Sequence, residues 1–291
     1  MELPAWEVVL KLLLLQTGLG LLLLLLVRQV LGWKGRKHFP PLTGGSVLLT
    51  GTSSGIGRTA AVYLAQRGFT VLAGVRKESD AQALREIGLS GIRPVIIDVA
   101  KPASVQACHA LVLSLVSAKT IPPLVAVINN AGLLQDSTVE FHDLDTMRHM
   151  FDVNYFGLVT VSSVFLPLLR GASSSSSLKG RLINIGSVAG KVSFPRYGAY
   201  AASKHAVEAI TDTLRAELTP AGVSVSLIQP GFCRTELFVR GVAQPQAAQS
   251  HANNDTVSTG GSKRNEEGGG GEEEKEEKEE EEEYDDEQRM Y

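Results

Sequence analysis

Tyr200 and Lys204 stand four residues apart in a stretch of helical character, so their side chains share one face. A phenol titrates near pH 10 and is a poor base at neutrality. A nearby ammonium favours the phenolate and lowers that value, which makes Tyr200 usable as a general acid or base. Ser187, thirteen residues earlier, can hydrogen-bond a substrate oxygen, and Asn154, within Asp152-Val153-Asn154-Tyr155, can hold a backbone group or a water in a proton relay. A lone Tyr-x-x-x-Lys is common on solvated helix faces. The pair gains weight from the serine and from a glycine-rich loop upstream.

That loop is Gly51-Thr52-Ser53-Ser54-Gly55-Ile56-Gly57, and it follows an apolar run, Ser46–Thr50. Its glycines let the backbone turn tightly and approach a pyrophosphate. The helix that follows presents unpaired N–H groups and its positive dipole end to the phosphates. The spacing G-x-x-x-G-x-G differs from the commoner G-x-G-x-x-G. The next strand ends at Gly74-Val75-Arg76-Lys77 with no acidic residue to bind a ribose 2′-hydroxyl. Arg76 and Lys77 suit a 2′-phosphate instead, which favours NADP(H) over NAD(H).

Positioning these residues requires a sheet. Strands are expected at Ser46–Thr50, Thr70–Gly74, Arg93–Ile97, Leu124–Ile128, Arg181–Ile185 and Val223–Ile228, with helices at about 56–67, 80–86, 103–117, 143–170 and 199–218. This alternation predicts an α/β fold, a Rossmann-like doubly wound parallel sheet of about six strands. Gly68 and Gly222 fall just past helix ends. The Ser173–Ser177 run reads as a flexible loop.

The chain has 291 residues, 44% of them hydrophobic, enough for a large core. The formal charge of -3 conceals an asymmetry. Residues 266–291 hold 15 acids and 3 bases, which leaves the first 265 residues at +9. No compact basic cluster suggests nucleic acid beyond Arg28–His38, which a membrane explains better. Cys108 and Cys233 form neither a metal spacing nor a disulfide framework, and no metal site is expected.

Val8–Val27 is long and apolar enough to span a bilayer core, and Trp6 and Trp33 flank it. A cleaved signal peptide is the rival reading, but no A-x-A pattern follows the apolar run. Arg28, Lys34, Arg36 and Lys37 on the C-terminal flank, against Glu2 and Glu7 on the other, place the body on the cytosolic side. The leucine-rich span and basic flank suggest the endoplasmic reticulum. The chain therefore divides into a transmembrane anchor with its basic flank (1–37), a catalytic domain (44–241) and a disordered acidic tail (242–291).

Taken together, residues 44–240 resemble the short-chain dehydrogenase/reductase family. Thr50–Gly57 looks like its TGxxxGxG loop, and Asn129-Asn130-Ala131-Gly132 matches its NNAG motif. Asn154, Ser187, Tyr200 and Lys204 match its catalytic tetrad. Val188–Leu218 is similar to the membrane-bound retinol and hydroxysteroid members. The resemblance implies that Gly51, Ser53, Ser54, Gly55, Ile56, Gly57, Arg76 and Asn130 contact the nucleotide, as do Tyr200 and Lys204. It also implies that Asp98 and Val99 meet the adenine, and that Pro230, Gly231 and Thr235 lie on the nicotinamide side. By the same resemblance Tyr200 exchanges the proton, Ser187 holds the substrate oxygen, Lys204 holds the ribose and lowers the Tyr200 pKa, and Asn154 supports a relay. Members of this family often form dimers or tetramers.

One departure stands out. After about Val242 there is no run apolar enough for a seventh strand or a substrate-covering helix. An exposed sheet edge is then expected. Two functions follow. One is a membrane-anchored oxidoreductase acting on a lipophilic alcohol or ketone such as a steroid, retinoid or other lipid carbonyl. Val188, Phe194, Phe232, Leu237 and Phe238 would stand near its pocket. The alternative is a non-catalytic, membrane-tethered binding or scaffold protein.

Overall fold

The computed structural model describes residues 4–34, 42–175, 180–233 and 235. The stretch 242–291, expected to be a disordered tail, lies outside the described residues, and so do Arg36, Lys37, Leu237 and Phe238.

Helix α1 (Ala5–Lys34) is apolar on every side. Leu12, Leu15, Leu19 and Leu23 are all more than half exposed, so no protein core takes them up. Its window Val9–Val27 is long and apolar enough to cross a membrane. Leu144–Gly171 passes the same test of length and composition, but half of it is buried within the protein, as in a core helix.

Six strands form one parallel sheet: β1 (Ser46–Thr50), β2 (Thr70–Val75), β3 (Ile92–Ile96), β4 (Leu124–Asn129), β5 (Arg181–Ile185) and β6 (Ser224–Ile228), in the order β3-β2-β1-β4-β5-β6. The order reverses between β1 and β4, where a crevice opens at the carboxyl ends of the strands. Leu48 of β1 packs with Val105, Phe165 and Leu182 on one face, and Leu49 with Ala61, Val71 and Leu84 on the other. Both faces of the central strands are therefore covered, which explains their unbroken apolar runs. Helices α2 (Gly55–Gln66) and α3 (Glu78–Arg85) cover the second face. Helices α4 (Pro102–Ser117), α6 (Gly157–Ser175) and α7 (Gly198–Leu218) cover the first. Among the described residues β6 ends the sheet, with Ser226 and Ile228 exposed.

Two expectations need correction. The helix foreseen at 143–170 is continuous but not uniform: α5 (Leu144–Phe151) and α6 are joined by a π-helical turn at Asp152–Phe156. Apolar periodicity runs through such a turn and does not reveal it. The serine run is not wholly a loop either, because Ser173–Ser175 continue α6. Serine favours loops only weakly, and a helix already 16 residues long carries it along.

Candidate active site

The carboxyl ends of the strands open into a cavity of about 560 Å³. One wall is the loop between β1 and α2. Gly51 and Gly55 have φ of +69° and +55°, a region that favours glycine. A Cβ on Gly57 would fall 2.1 Å from the Gly51 carbonyl oxygen. Ser54 begins α2 with no side-chain cap, and the first turn has no acidic residue, so the helix N–H groups face the cavity unopposed. A close backbone approach beside an uncapped helix N-terminus fits a nucleotide pyrophosphate.

Asn130 braces this loop. Its side-chain amide donates to the carbonyls of Thr50 and Gly51, both at 2.9 Å. The Thr50 hydroxyl in turn accepts from the N–H groups of Asn130 (3.0 Å) and Ala131 (3.1 Å). The ends of β1 and β4 are thereby locked together across the switch point. Thr50 opens the Thr50–Gly57 motif recognised in the sequence, but spacing alone does not show that its hydroxyl bridges to the end of β4.

Gly51, Ser53, Ser54, Gly55, Ile56 and Gly57 all line the cavity, and Asn130 joins them. Arg76, Asp98 and Val99 line it at the ends of β2 and β3, and Pro230 and Thr235 after β6. Arg76 is exposed and has no carboxylate in ion-pair range among the described residues, whereas Lys77 caps α3 and is absent from the lining. Asp98 accepts from the Ala100 N–H and pairs with Lys101 at 3.6 Å. Thr146, His149 and Met150 of α5 complete the wall. Nothing in their local sequence marks them, since only the packing of α5 brings them in.

Tyr200 and Lys204 enter the same cavity from the first turns of α7. Both are buried, with Lys204 Nζ 5.7 Å from the Tyr200 ring centre. Nζ donates to the Ile185 carbonyl at 2.9 Å. Burial pulls the Lys204 pKa down to about 8. Burial also holds the Tyr200 phenol above its usual value, and hydrogen bonding with Ser187 offsets this only in part. The expected lowering by Lys204 is not what governs Tyr200 here. Taking the phenol out of water disfavours its anion, and the lysine is itself desolvated and engaged by a carbonyl.

Ser187 and Asn154 lie beside the cavity rather than in its lining. Ser187, 8% exposed, opens a short 3₁₀ turn, Val188–Gly190, and its Oγ accepts from the Ala189 N–H at 3.1 Å. That bond leaves the hydroxyl proton free to donate. Asn154 sits in the π-helical turn, 1% exposed. It accepts from Leu133 N–H (2.7 Å) and donates to Leu133 O (2.9 Å) and Ser203 Oγ (3.0 Å). Ser203 donates onward to the Tyr200 carbonyl at 2.7 Å. A chain of hydrogen bonds thus ties the loop after β4 to α7. Single π-turns recur at functional sites because the extra residue redirects a side chain.

A smaller apolar cavity of about 90 Å³ adjoins Tyr200. Val188, Phe194, Tyr197, Gly231 and Phe232 contribute to it, and the Phe194 and Phe232 rings meet edge to face at 5.8 Å. Arg196, next to Tyr197 in sequence, donates from Nε to Asp136 at 2.6 Å. Arg196 has φ of +70°, a strained conformation for arginine. Among the described residues no group of His, Cys, Asp and Glu can hold a metal. Cys108 is buried, its thiol pushed up to about 12, while Cys233 borders the smaller cavity.

Comparison with known proteins agrees with this arrangement. Residues 46–245 match the family model for short chain dehydrogenase. The uncharacterized oxidoreductase YbbO of Escherichia coli (strain K12) is 39% identical over 202 residues, 69% of this chain and 70% of that protein. The 17-beta-hydroxysteroid dehydrogenase type 6 of Bos taurus is 36% identical over 222 residues, 75% of this chain and 67% of the relative. Retinol dehydrogenase 5 of Mus musculus is 34% identical, with 67% of this chain and 58% of that protein aligned. Among solved structures, a gluconate 5-dehydrogenase from Burkholderia cenocepacia J2315 in complex with NADP and tartrate superposes with a TM-score of 0.61. It is 27% identical, over 69% of this chain and 76% of that one. A short chain dehydrogenase/reductase from Burkholderia phymatum in complex with NAD gives 0.61 at 29% identity, over 74% and 75%.

Proposed function

The chain belongs to the short-chain dehydrogenase family, NAD(P)-dependent oxidoreductases acting on CH–OH groups, and on that premise we propose that it transfers a hydride between NADP(H) and a lipophilic alcohol or ketone. The observation that carries the reading is the placement of Tyr200. It lines both the large cavity, which holds the glycine loop and Lys204, and the small apolar one. A substrate carbonyl reaching the phenol from the apolar side then faces the nucleotide side.

The nucleotide, when bound, supplies or accepts the hydride. The chain's residues orient the reactants and manage the proton. A phenol held protonated by burial is a proton donor, so Tyr200 gives its proton to the substrate oxygen during reduction and takes it back during oxidation. Ser187, its Oγ already accepting from a backbone N–H, donates to the same substrate oxygen and stabilises the charge that develops there. Lys204 offers its ammonium to the ribose and to the Tyr200 side of the cavity. Asn154 holds the loop after β4 in place and supports proton relay towards Lys204.

NADP(H) is favoured because Arg76 stands on the rim with no acidic partner among the described residues and β2 ends without a carboxylate. A lipophilic substrate, of the steroid, retinoid or other lipid-carbonyl class, is supported by the phenylalanine-lined cavity and by relatives named hydroxysteroid and retinol dehydrogenases. The apolar α1, with basic residues on its C-terminal flank, supports anchoring in a membrane such as the endoplasmic reticulum, with the catalytic body on the cytosolic side. The test is a titration of the full chain in detergent with NADPH and NADH, followed by nicotinamide fluorescence, and then turnover of lipophilic ketones. Saturable binding that prefers NADPH, with turnover that Tyr200→Phe removes, is the expected result. A folded protein that binds neither nucleotide refutes it.

A further inference from the structure

Glu208 lies on α7 one turn beyond Lys204, and the proposed chemistry gives it no part. Its side chain is only 11% exposed, an expensive place for a carboxylate without partners. It has two, from two different loops. Gln229 Nε2, directly after β6, donates to Oε1, and Lys191 Nζ, at the end of the Ser187 turn, pairs with Oε2 at 2.8 Å. Main-chain bonds join the same two loops, from Gly186 N–H to the Ile228 carbonyl at 2.8 Å and from Val188 N–H to the Pro230 carbonyl at 2.9 Å. The turn also lies flush on the helix. A Cβ at Gly190 would come within 2.9 Å of the Lys204 carbonyl and 3.1 Å of Glu208 Cγ.

We propose that Glu208 is a positioning residue that clamps the Ser187 turn and the Gln229–Gly231 segment onto the helix bearing Tyr200 and Lys204. This inference rests on the oxidoreductase reading for its consequence. The clamp sets the spacing between the proton-donating phenol, the Ser187 hydroxyl and the cavity wall at Pro230. Its geometry can be checked whether or not turnover is found. A hydrophobic residue would fill the space without the desolvation cost, but it would hold neither loop.

The experiment compares the full chain with Glu208→Ala and Glu208→Gln by hydrogen-exchange mass spectrometry, and by the primary isotope effect on ketone reduction with 4-deuterated NADPH. In Glu208→Ala, the amides of 186–191 and 228–231 exchange about 10-fold faster while those of 46–75 are unchanged. The kcat falls about 10- to 100-fold, and the isotope effect rises as the transfer step becomes limiting. Glu208→Gln keeps an acceptor for Gln229 and falls between the two. If Glu208→Ala does not fold, Glu208→Gln and Lys191→Met carry the comparison. Unchanged exchange overturns the clamp regardless of activity. Faster exchange with a lower kcat and an unchanged isotope effect also overturns the positioning role, leaving structural support alone. A wild-type protein that turns over no ketone counts against the proposed function, and the exchange data still decide the clamp.

Discussion

The two halves of the sheet are built from different materials. Around β1–β3, α2 and α3 the buried residues are almost all apolar, and the buried hydroxyls of Ser46, Thr50 and Thr52 all serve backbone carbonyls. Around β4–β6 and α5–α7 polar groups run through the interior. Asn129 donates to Ser162 and to Asn184, Asn184 donates to Thr211, and Asn154, Ser203, Lys204 and Glu208 lie close by. On the proposed reading, the nucleotide half offers backbone shape at the phosphates and one exposed charge, Arg76, at the rim. The catalytic half must hold side-chain protons and charges in fixed places, and each buried polar group then needs a partner. Among the described residues Asn129 Oδ1 and His142 Nε2 still lack one.

The sharpest test of this contrast is Tyr200→Phe. It removes one oxygen from the catalytic half, and kcat should fall about 10²- to 10⁴-fold. Nucleotide affinity measured by fluorescence should hardly move. Equal losses in both would erase the distinction between the halves. On the wild type, reduction should decline as pH rises through the Tyr200 pKa, which lies above its usual value, and oxidation should increase over the same range.

Gly57→Ala probes the other half. The new Cβ would meet a backbone oxygen rather than a side chain that can swing away. Overpacking of this kind costs roughly 1–3 kcal/mol. Here nucleotide binding should be lost before the fold is, as seen by comparing NADPH titration with thermal melting.

Lys204→Met should separate stability from function. With a native pKa of about 8 against 10.5 for the free side chain, the charged lysine destabilises the free protein by roughly 3 kcal/mol at pH 7. Between those values the unfolded chain binds more protons, so wild-type stability rises with pH from about 8 to 10.5. The methionine variant should be inactive, more stable at pH 7, and without that rise. Denaturant melts at pH 7 and pH 10 decide the point.

Asn184→Ala, which removes one of the two acceptors of Asn129 Nδ2 and the donor to the Thr211 hydroxyl, should cost about 1–3 kcal/mol in chemical denaturation for the two hydrogen bonds lost. Arg76→Ala, an exposed change on the nucleotide side, should leave stability within about 0.5 kcal/mol. It should narrow the NADPH-over-NADH preference by roughly 10-fold, since a single charged hydrogen bond is worth about 1.5–3 kcal/mol.

Much of the nucleotide half was legible along the chain. Its strand, loop and helix are contiguous, so glycine spacing and apolar runs place Gly51–Gly57 without any knowledge of distant contacts. All six strands begin and end within a residue of their expected positions, because each is a short apolar run read locally. The π-helical turn at Asp152–Phe156 was not legible, because a single extra residue leaves apolar periodicity intact on either side. The direction of the Tyr200 pKa was not legible either. Spacing reveals that a lysine is near, but the depth of burial depends on everything packed around it.

The sequence by itself determined which chemistry is possible: a phenol and an ammonium one helical turn apart, a serine and an asparagine upstream, and a loop through which a backbone can meet phosphates. These follow from covalent order and local geometry. Only the tertiary structure decided what state those groups are in. Burial holds Tyr200 protonated and depresses Lys204, Ser187 turns its oxygen to a backbone N–H, and Glu208 gathers two loops 17 and 21 residues away along the chain. The reason is that desolvation and long-range hydrogen bonds depend on neighbours the chain brings together only on folding, and no local spacing encodes them.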